Sequence, residues 1–199
     1  SLEPTAGRRL VFACAVLMNS FSLLQPAMSQ AQPNPLLAEW KTPFGVPPFP
    51  EIKEEHFLPA MKEAMARQQQ EVATIATNAE PPTFANTIEA LEQSGQLLDR
   101  VSSVFSYLTG AETNEKLQAL ARELAPLQSA HRDAILLNQP LFERIKVVWN
   151  NRADSKLNPE QQMLLEKAYK RFVRGGAQLD AAGKDRLRAM NSELASLSL

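Results

Sequence analysis

Apolar residues recur along most of this chain every three to four positions, the spacing that lines one face of a helix, and nowhere alternate long enough with polar ones to make a strand. Pro59 fits the first turn of a helix, where its missing amide has no partner to lose, and Met61, Met65, Val72, Ile75 and Ala76 mark that helix's buried side. The run from Asn78 to Pro82 ends it. Thr83 is placed to cap a second helix through Ile88, Leu91, Leu98, Val101, Phe105 and Leu108, with Gly95 a weak point inside and Gly110 closing it. Asn114 caps a third, carrying Leu117, Leu120, Leu124, Leu127 and His131, in which Pro126 predicts a kink near Arg122. Asn138 with Pro140 starts a fourth, bearing Leu141, Ile145 and Val148. Asn158, Pro159 and Gln161 start a fifth, with Leu165, Tyr169, Phe172 and Val173 inward and Gly175 and Gly176 as its stop. Asp180 opens a sixth through Leu187, Met190, Leu194 and Leu197. The predicted class is all-α, a bundle-like set of antiparallel helices over residues 54–199. No C-cap follows Leu197, so the apolar face of this last helix is expected to continue against polypeptide beyond it, and the helical domain to be truncated at its C-terminal end.

Upstream, residues 32–53 carry Pro33, Pro35, Pro43, Pro47, Pro48 and Pro50, which remove amide donors and disfavour helix at the residues before them. An extended arm is expected, held against the helices by Trp40, Phe44, Val46 and Phe49. Residues 1–31 read as a secretory signal peptide: Arg8 and Arg9, the apolar run LVFACAVLM, then Ser29 and Ala31 as the small residues before a cut. The apolar run is much shorter than the ~20 residues a spanning helix needs, so no stable membrane anchor is expected. Cys14, the one cysteine, falls within that leader. The expected location is the periplasm, and Ser1 in place of Met implies an incomplete reading frame.

Charge narrows the functional classes. With 21 basic and 22 acidic side chains intermixed, no one-signed field exists to attract a phosphate backbone, which argues against nucleic-acid binding. A catalytic metal held on one helix needs two imidazoles a turn apart with a carboxylate nearby. The two histidines, His56 and His131, lie far apart, each without a second histidine at helical spacing. His56, in EEHFLPA, suits a capping role at a helix start, and His131, in SAHRD, reads as an exposed or partly satisfied helix residue. Glu54 with Glu55, and Glu89 with Glu92, read as solvated helix faces and not as acid and base pairs. No GxSxG elbow or glycine-rich phosphate cradle occurs. Phe105, Tyr107, Tyr169 and Phe172 read as core. No catalytic, cofactor-binding or metal-ligating residue is predicted within the 199.

Five collinear blocks carry a resemblance: NPLL at 34–37, FGVPPFPEIKEEHFLPAMKEAM at 44–65, PPTFANTIEALEQSGQLLDRV from Pro81, LARELAPLQSAHRDAILLNQPLFERI at 120–145 and LNPEQQMLLEKAYKRFVRGGAQL at 157–179. Together they resemble the amino-terminal region of the peptidyl-dipeptidase members of the thimet-oligopeptidase family of zinc peptidases. Ala85 departs from that pattern, standing where an acidic residue is more usual, and the leader departs from it too, which keeps a cytoplasmic location as the alternative. The resemblance implies a parent enzyme that uses Zn2+ to release dipeptides from the carboxyl end of short peptides and acts as a monomer at full length. Its metal is held by an HExxH helix and a later glutamate, all of which would lie beyond Leu199. What this chain would share is a channel wall, inert alone and without its own cofactor; its partners would be short peptides and the missing catalytic portion. The alternative is a non-catalytic periplasmic helical binding module.

Overall fold

The helix starts are set by side chains that satisfy otherwise orphaned amides. The computed structural model describes residues 33–111 and 114–197; the predicted leader over 1–31 lies outside the described residues. The described chain is all-α: α1 (Phe57–Ala76), α2 (Ala90–Gln93), α3 (Gln96–Ala111), α4 (Glu115–Leu136), α5 (Gln139–Asn150), α6 (Pro159–Arg174) and α7 (Ala181–Leu197). Asn114, Asn138 and Asn158 accept from the amides of Leu117, Leu141 and Gln161 at 2.9, 3.0 and 2.8 Å, so three predicted starts hold. Asp180 does the same for Gly183 at 2.7 Å ahead of α7. Gly176, at φ 91°, takes the left-handed turn after α6.

The second predicted helix is corrected in two ways. Thr83 caps it by accepting from Asn86, but the first turns, Phe84–Glu89, are π-helical, and the helix breaks at Ser94 and Gly95 into α2 and α3. Gly95 has φ 81°, a conformation that costs a side-chain-bearing residue ~1 to 2 kcal/mol. Its amide donates to Glu71 Oε2 at 2.7 Å, and a Cβ there would sit 2.1 Å from Gln68 Nε2. The break is therefore fixed by α1, from which both acceptor and obstruction come. At the other end, α3 runs through Gly110 to Ala111, so Gly110 does not close it. α4 stays continuous across Pro126.

α1 joins two cores. Its first half contributes Phe57, Ala60, Met61 and Met65 to a cluster with Val101, Val104 and Phe105 of α3 and Leu117 and Leu124 of α4. Its second half contributes Val72 and Ile75 to a cluster with Leu141, Phe142, Ile145 and Val148 of α5 and Leu165 and Phe172 of α6. In that second core, Trp149 stacks on Tyr169 at 4.6 Å between ring centroids, and Phe142 packs between Tyr169 and Phe172 at 6.0 and 6.3 Å. A buried cation ties the connection between α1 and the π-helical stretch to α5: Arg144 donates to the carbonyls of Asn78 and Glu80 at 2.7 and 3.1 Å and to Asn86 Oδ1 at 3.1 Å. Its guanidinium replaces three hydrogen bonds that water would otherwise make.

The arm is not uniformly extended. Short 3-10 turns occupy Pro43–Gly45 and Phe49–Glu51, and Phe44, with φ 59°, is fully exposed. The anchor lies earlier. Leu36 is fully buried with the first core, Asn34 Nδ2 donates to the carbonyl of His56 at 2.8 Å, and Arg100 lies 4.9 Å over the Trp40 ring while donating to the Leu36 carbonyl at 3.2 Å. Among the described residues no helix is long and apolar enough to cross a membrane.

Candidate functional site

Five helices line a half-open cavity of about 500 Å3 with mixed polar and apolar walls. α1 supplies Gln68, α3 supplies Asp99 and Ser102, α4 supplies Ser129, His131 and Arg132, α6 supplies Arg171 and α7 supplies Asn191. The sequence places these groups together only by helical spacing within α3 and within α4. Their convergence comes from packing α4 against α1 on one side and α7 on the other.

Of the two readings for His131, exposed or partly satisfied on its helix, the structure rules out the first, since only 7% of its surface is accessible, and bears out the second. Its Nε2 lies 2.7 Å from Gln68 Oε1, an acceptor, and its Nδ1 lies 3.5 Å from Gln69 Nε2, a donor. A neutral imidazole with the proton on Nε2 satisfies both neighbours, whereas a cation would set two donors against each other at Nδ1. Burial also penalises the charged form and holds the imidazole below its usual range. The ring is a fixed, uncharged donor in the cavity floor. Beside it, Asp133 accepts from Asn191 Nδ2 at 2.8 Å and Ser129 Oγ donates to the Asn191 carbonyl at 3.2 Å, so one asparagine fastens α7 to α4.

The other residues weighed from sequence lie apart from this cavity. His56 caps as expected: its Nδ1 accepts from the Lys53 amide at 3.1 Å. Glu54 accepts from Asn114 Nδ2 at 2.8 Å and pairs with Lys116 at 3.7 Å, linking the start of α1 to the start of α4. Glu55 faces Lys53 at 3.9 Å across solvent. Glu89 and Glu92 are exposed. The family resemblance implies zinc, but among the described residues no group of three or more His, Cys, Asp or Glu side chains is placed to share an ion. With one histidine committed to a cap and the other to two amides, these residues do not fit that metal. Sequence reasoning missed Gln68, Arg132, Arg171 and Asn191, which no linear motif unites.

No family profile matches the chain. It is, however, 41% identical over 165 residues to the dipeptidyl carboxypeptidase of Escherichia coli, a match covering 83% of this chain and 24% of that protein. The dipeptidyl carboxypeptidase of Salmonella typhimurium is 40% identical over 164 residues, covering 82% of the chain and 24% of the relative. The chain is thus homologous to a segment of these peptidases. Oligopeptidase A of Salmonella typhimurium is a more distant relative, 25% identical over 164 residues, 82% of this chain and 24% of that protein. The chain therefore spans about a quarter of the length of the curated relatives it matches.

Proposed function

We propose that this chain contributes a helical wall to the substrate enclosure of a zinc peptidase that releases dipeptides from the carboxyl end of oligopeptides, with the bond-cleaving residues supplied by polypeptide outside the 199. The supporting observation is the 41% identity to a dipeptidyl carboxypeptidase over a segment only 24% of that protein's length. A segment of that size need not hold the chemistry of the whole. In this reading the rigid pair of cores joined by α1 serves as a fixed wall, and selection acts through the room it leaves: an unfolded peptide enters a narrow enclosure and a folded protein does not. Met190, Leu194 and Leu197, exposed on α7, are the surface that further helices of the enclosure would cover. The signal-like leader supports export to the periplasm.

The reading is tested by determining the coding sequence downstream of Leu199. Several hundred further codons containing an HExxH motif are expected. A stop codon soon after Leu199 would contradict the proposal and favour a binding module without catalysis.

A further inference from the structure

The arm forms a turn over 42–46 that is braced on every side and still leaves an aromatic ring in water. Phe44 and Gly45 are both left-handed, at φ 59° and 66°. Two such residues in succession mark a type I′ turn, where Gly, Asn or Asp is the usual choice because a Cβ resists the conformation. The turn is closed by the Gly45 amide on the Thr42 carbonyl at 3.1 Å, the Val46 amide on the Pro43 carbonyl at 3.4 Å and the Thr42 hydroxyl on the Val46 carbonyl. Both of its flanks are pinned to α3: upstream Trp40 lies under Arg100, and downstream Phe49 packs on Tyr107 with ring centroids 5.8 Å apart. Pro43, Pro47 and Pro48 restrict the backbone between those points. Phe44 is nevertheless fully exposed, and Val46 is exposed as well.

A lone exposed apolar side chain needs no explanation. An aromatic one on a strained turn does, since glycine or asparagine would form the same turn more readily, and strain of this kind persists where surrounding structure holds it for a contact. What Phe44 adds is apolar surface already fixed in place, so that little further ordering is needed when a partner covers it. The amount of surface selects the partner. Phe44 and Val46 together offer on the order of 200 to 300 Å2, against the roughly 800 Å2 per side of a stable complex between separate proteins. This turn is too small to hold a second copy of the chain or a freely diffusing protein. It suits a surface on the same polypeptide, where the tether supplies a high effective concentration. The segment covers 24% of the length of its Escherichia coli relative, so in the function proposed above most of the polypeptide lies outside it and can supply that surface.

We propose that the turn over 42–46 is an anchor that seats Phe44 in an apolar pocket on the part of the same polypeptide lying outside the 199 residues. The existence of that part rests on the proposed function; the anchor rests on the turn.

Hydroxyl-radical footprinting read by mass spectrometry compares Phe44 in the 199-residue chain and in the product of the complete reading frame. Phe44 is expected to be oxidised about tenfold more slowly in the longer product, as for an anchor shielded from solvent. Phe44→Ala in the longer product is expected to speed amide exchange at Gly45 and Val46 about tenfold, with Phe44→Leu restoring most of the protection, and to change neither rate in the 199-residue chain. Equal oxidation of Phe44 in the two proteins would overturn the anchor, and so would protection in the 199-residue chain that grows with its concentration, the mark of a contact between copies. Exchange in the longer product that ignores Phe44→Ala would overturn it too. A reading frame that stops soon after Leu199 sinks the proposed function and the anchor with it, whereas a longer peptidase with Phe44 still exposed sinks the anchor alone.

Discussion

His131 Nε2 and Gln68 Oε1, from α4 and α1, meet at 2.7 Å in the floor of the cavity, and the Gln68 side chain reaches that position by lying against the bare Cα of Gly95. One hydrogen bond thus depends on a glycine in a third segment. Replacing Gly95 with Ala forces a left-handed backbone on a residue with a Cβ and drives that carbon into the Gln68 amide. The expected loss is about 2 kcal/mol of stability, measured by urea denaturation. Gln68→Ala in the same background is expected to cost less than it does alone, because the two changes act on the same contact.

The neutral state of His131 makes stability pH-dependent in a defined direction. Its folded pKa lies below the ordinary value, so between the two the unfolded chain binds the proton more readily and stability falls as pH drops. The contribution is fully present above about pH 7 and is lost on descending from about pH 6.5 toward the lowered folded value. Thermal melts at pH 7.5 and 5.5 are expected to show a lower midpoint at 5.5, and His131→Gln is expected to shrink the difference. An unchanged difference in that variant would remove His131 as its source.

Arg144 fastens the connection after α1 without a carboxylate partner among the described residues, so its contribution is the satisfaction of part-buried acceptors. Arg144→Met leaves the carbonyls of Asn78 and Glu80 without that donor and is expected to cost about 2 to 3 kcal/mol. Arg144→Lys is expected to recover less than half, since one ammonium does not reproduce a planar fork reaching three oxygens. Denaturant midpoints for the two variants check the order.

The arm is held at its beginning and not at its aromatic tip. Leu36→Ala is expected to destabilise by about 3 kcal/mol through the cavity left in the first core, whereas Phe44→Ala, at a fully exposed side chain, is expected to change stability by less than about 0.5 kcal/mol. Limited proteolysis should show earlier cleavage of the arm in the Leu36 variant alone.

The contrast between these sites shows what the sequence makes legible. Asn114, Asn138 and Asn158 announce their helices because a cap bonds an amide three residues on, a relation contained in the local sequence. The split at Gly95 is not local: apolar spacing continues across it, and only Glu71 and Gln68 of α1 determine that the chain must turn there. The burial of His131 is hidden from the local sequence for the same reason, since the glutamines that bond it belong to another helix. Phe44, whose bulk suggested an anchor, is outweighed by Leu36 because the turn at Pro43–Gly45 points it away from the helices. The family relationship was legible, since five ordered blocks survive in sequence; the cavity was not, since the groups it draws from five helices are united by no linear motif.

In the function proposed above, this chain is a wall of a peptidase whose cleavage machinery lies elsewhere in the polypeptide. The most direct test compares the 199-residue chain with the product of the complete reading frame on a blocked tripeptide, with and without a metal chelator. The account predicts release of the carboxyl-terminal dipeptide by the longer product alone, abolished by the chelator. Dipeptide release by the 199-residue chain itself would contradict it.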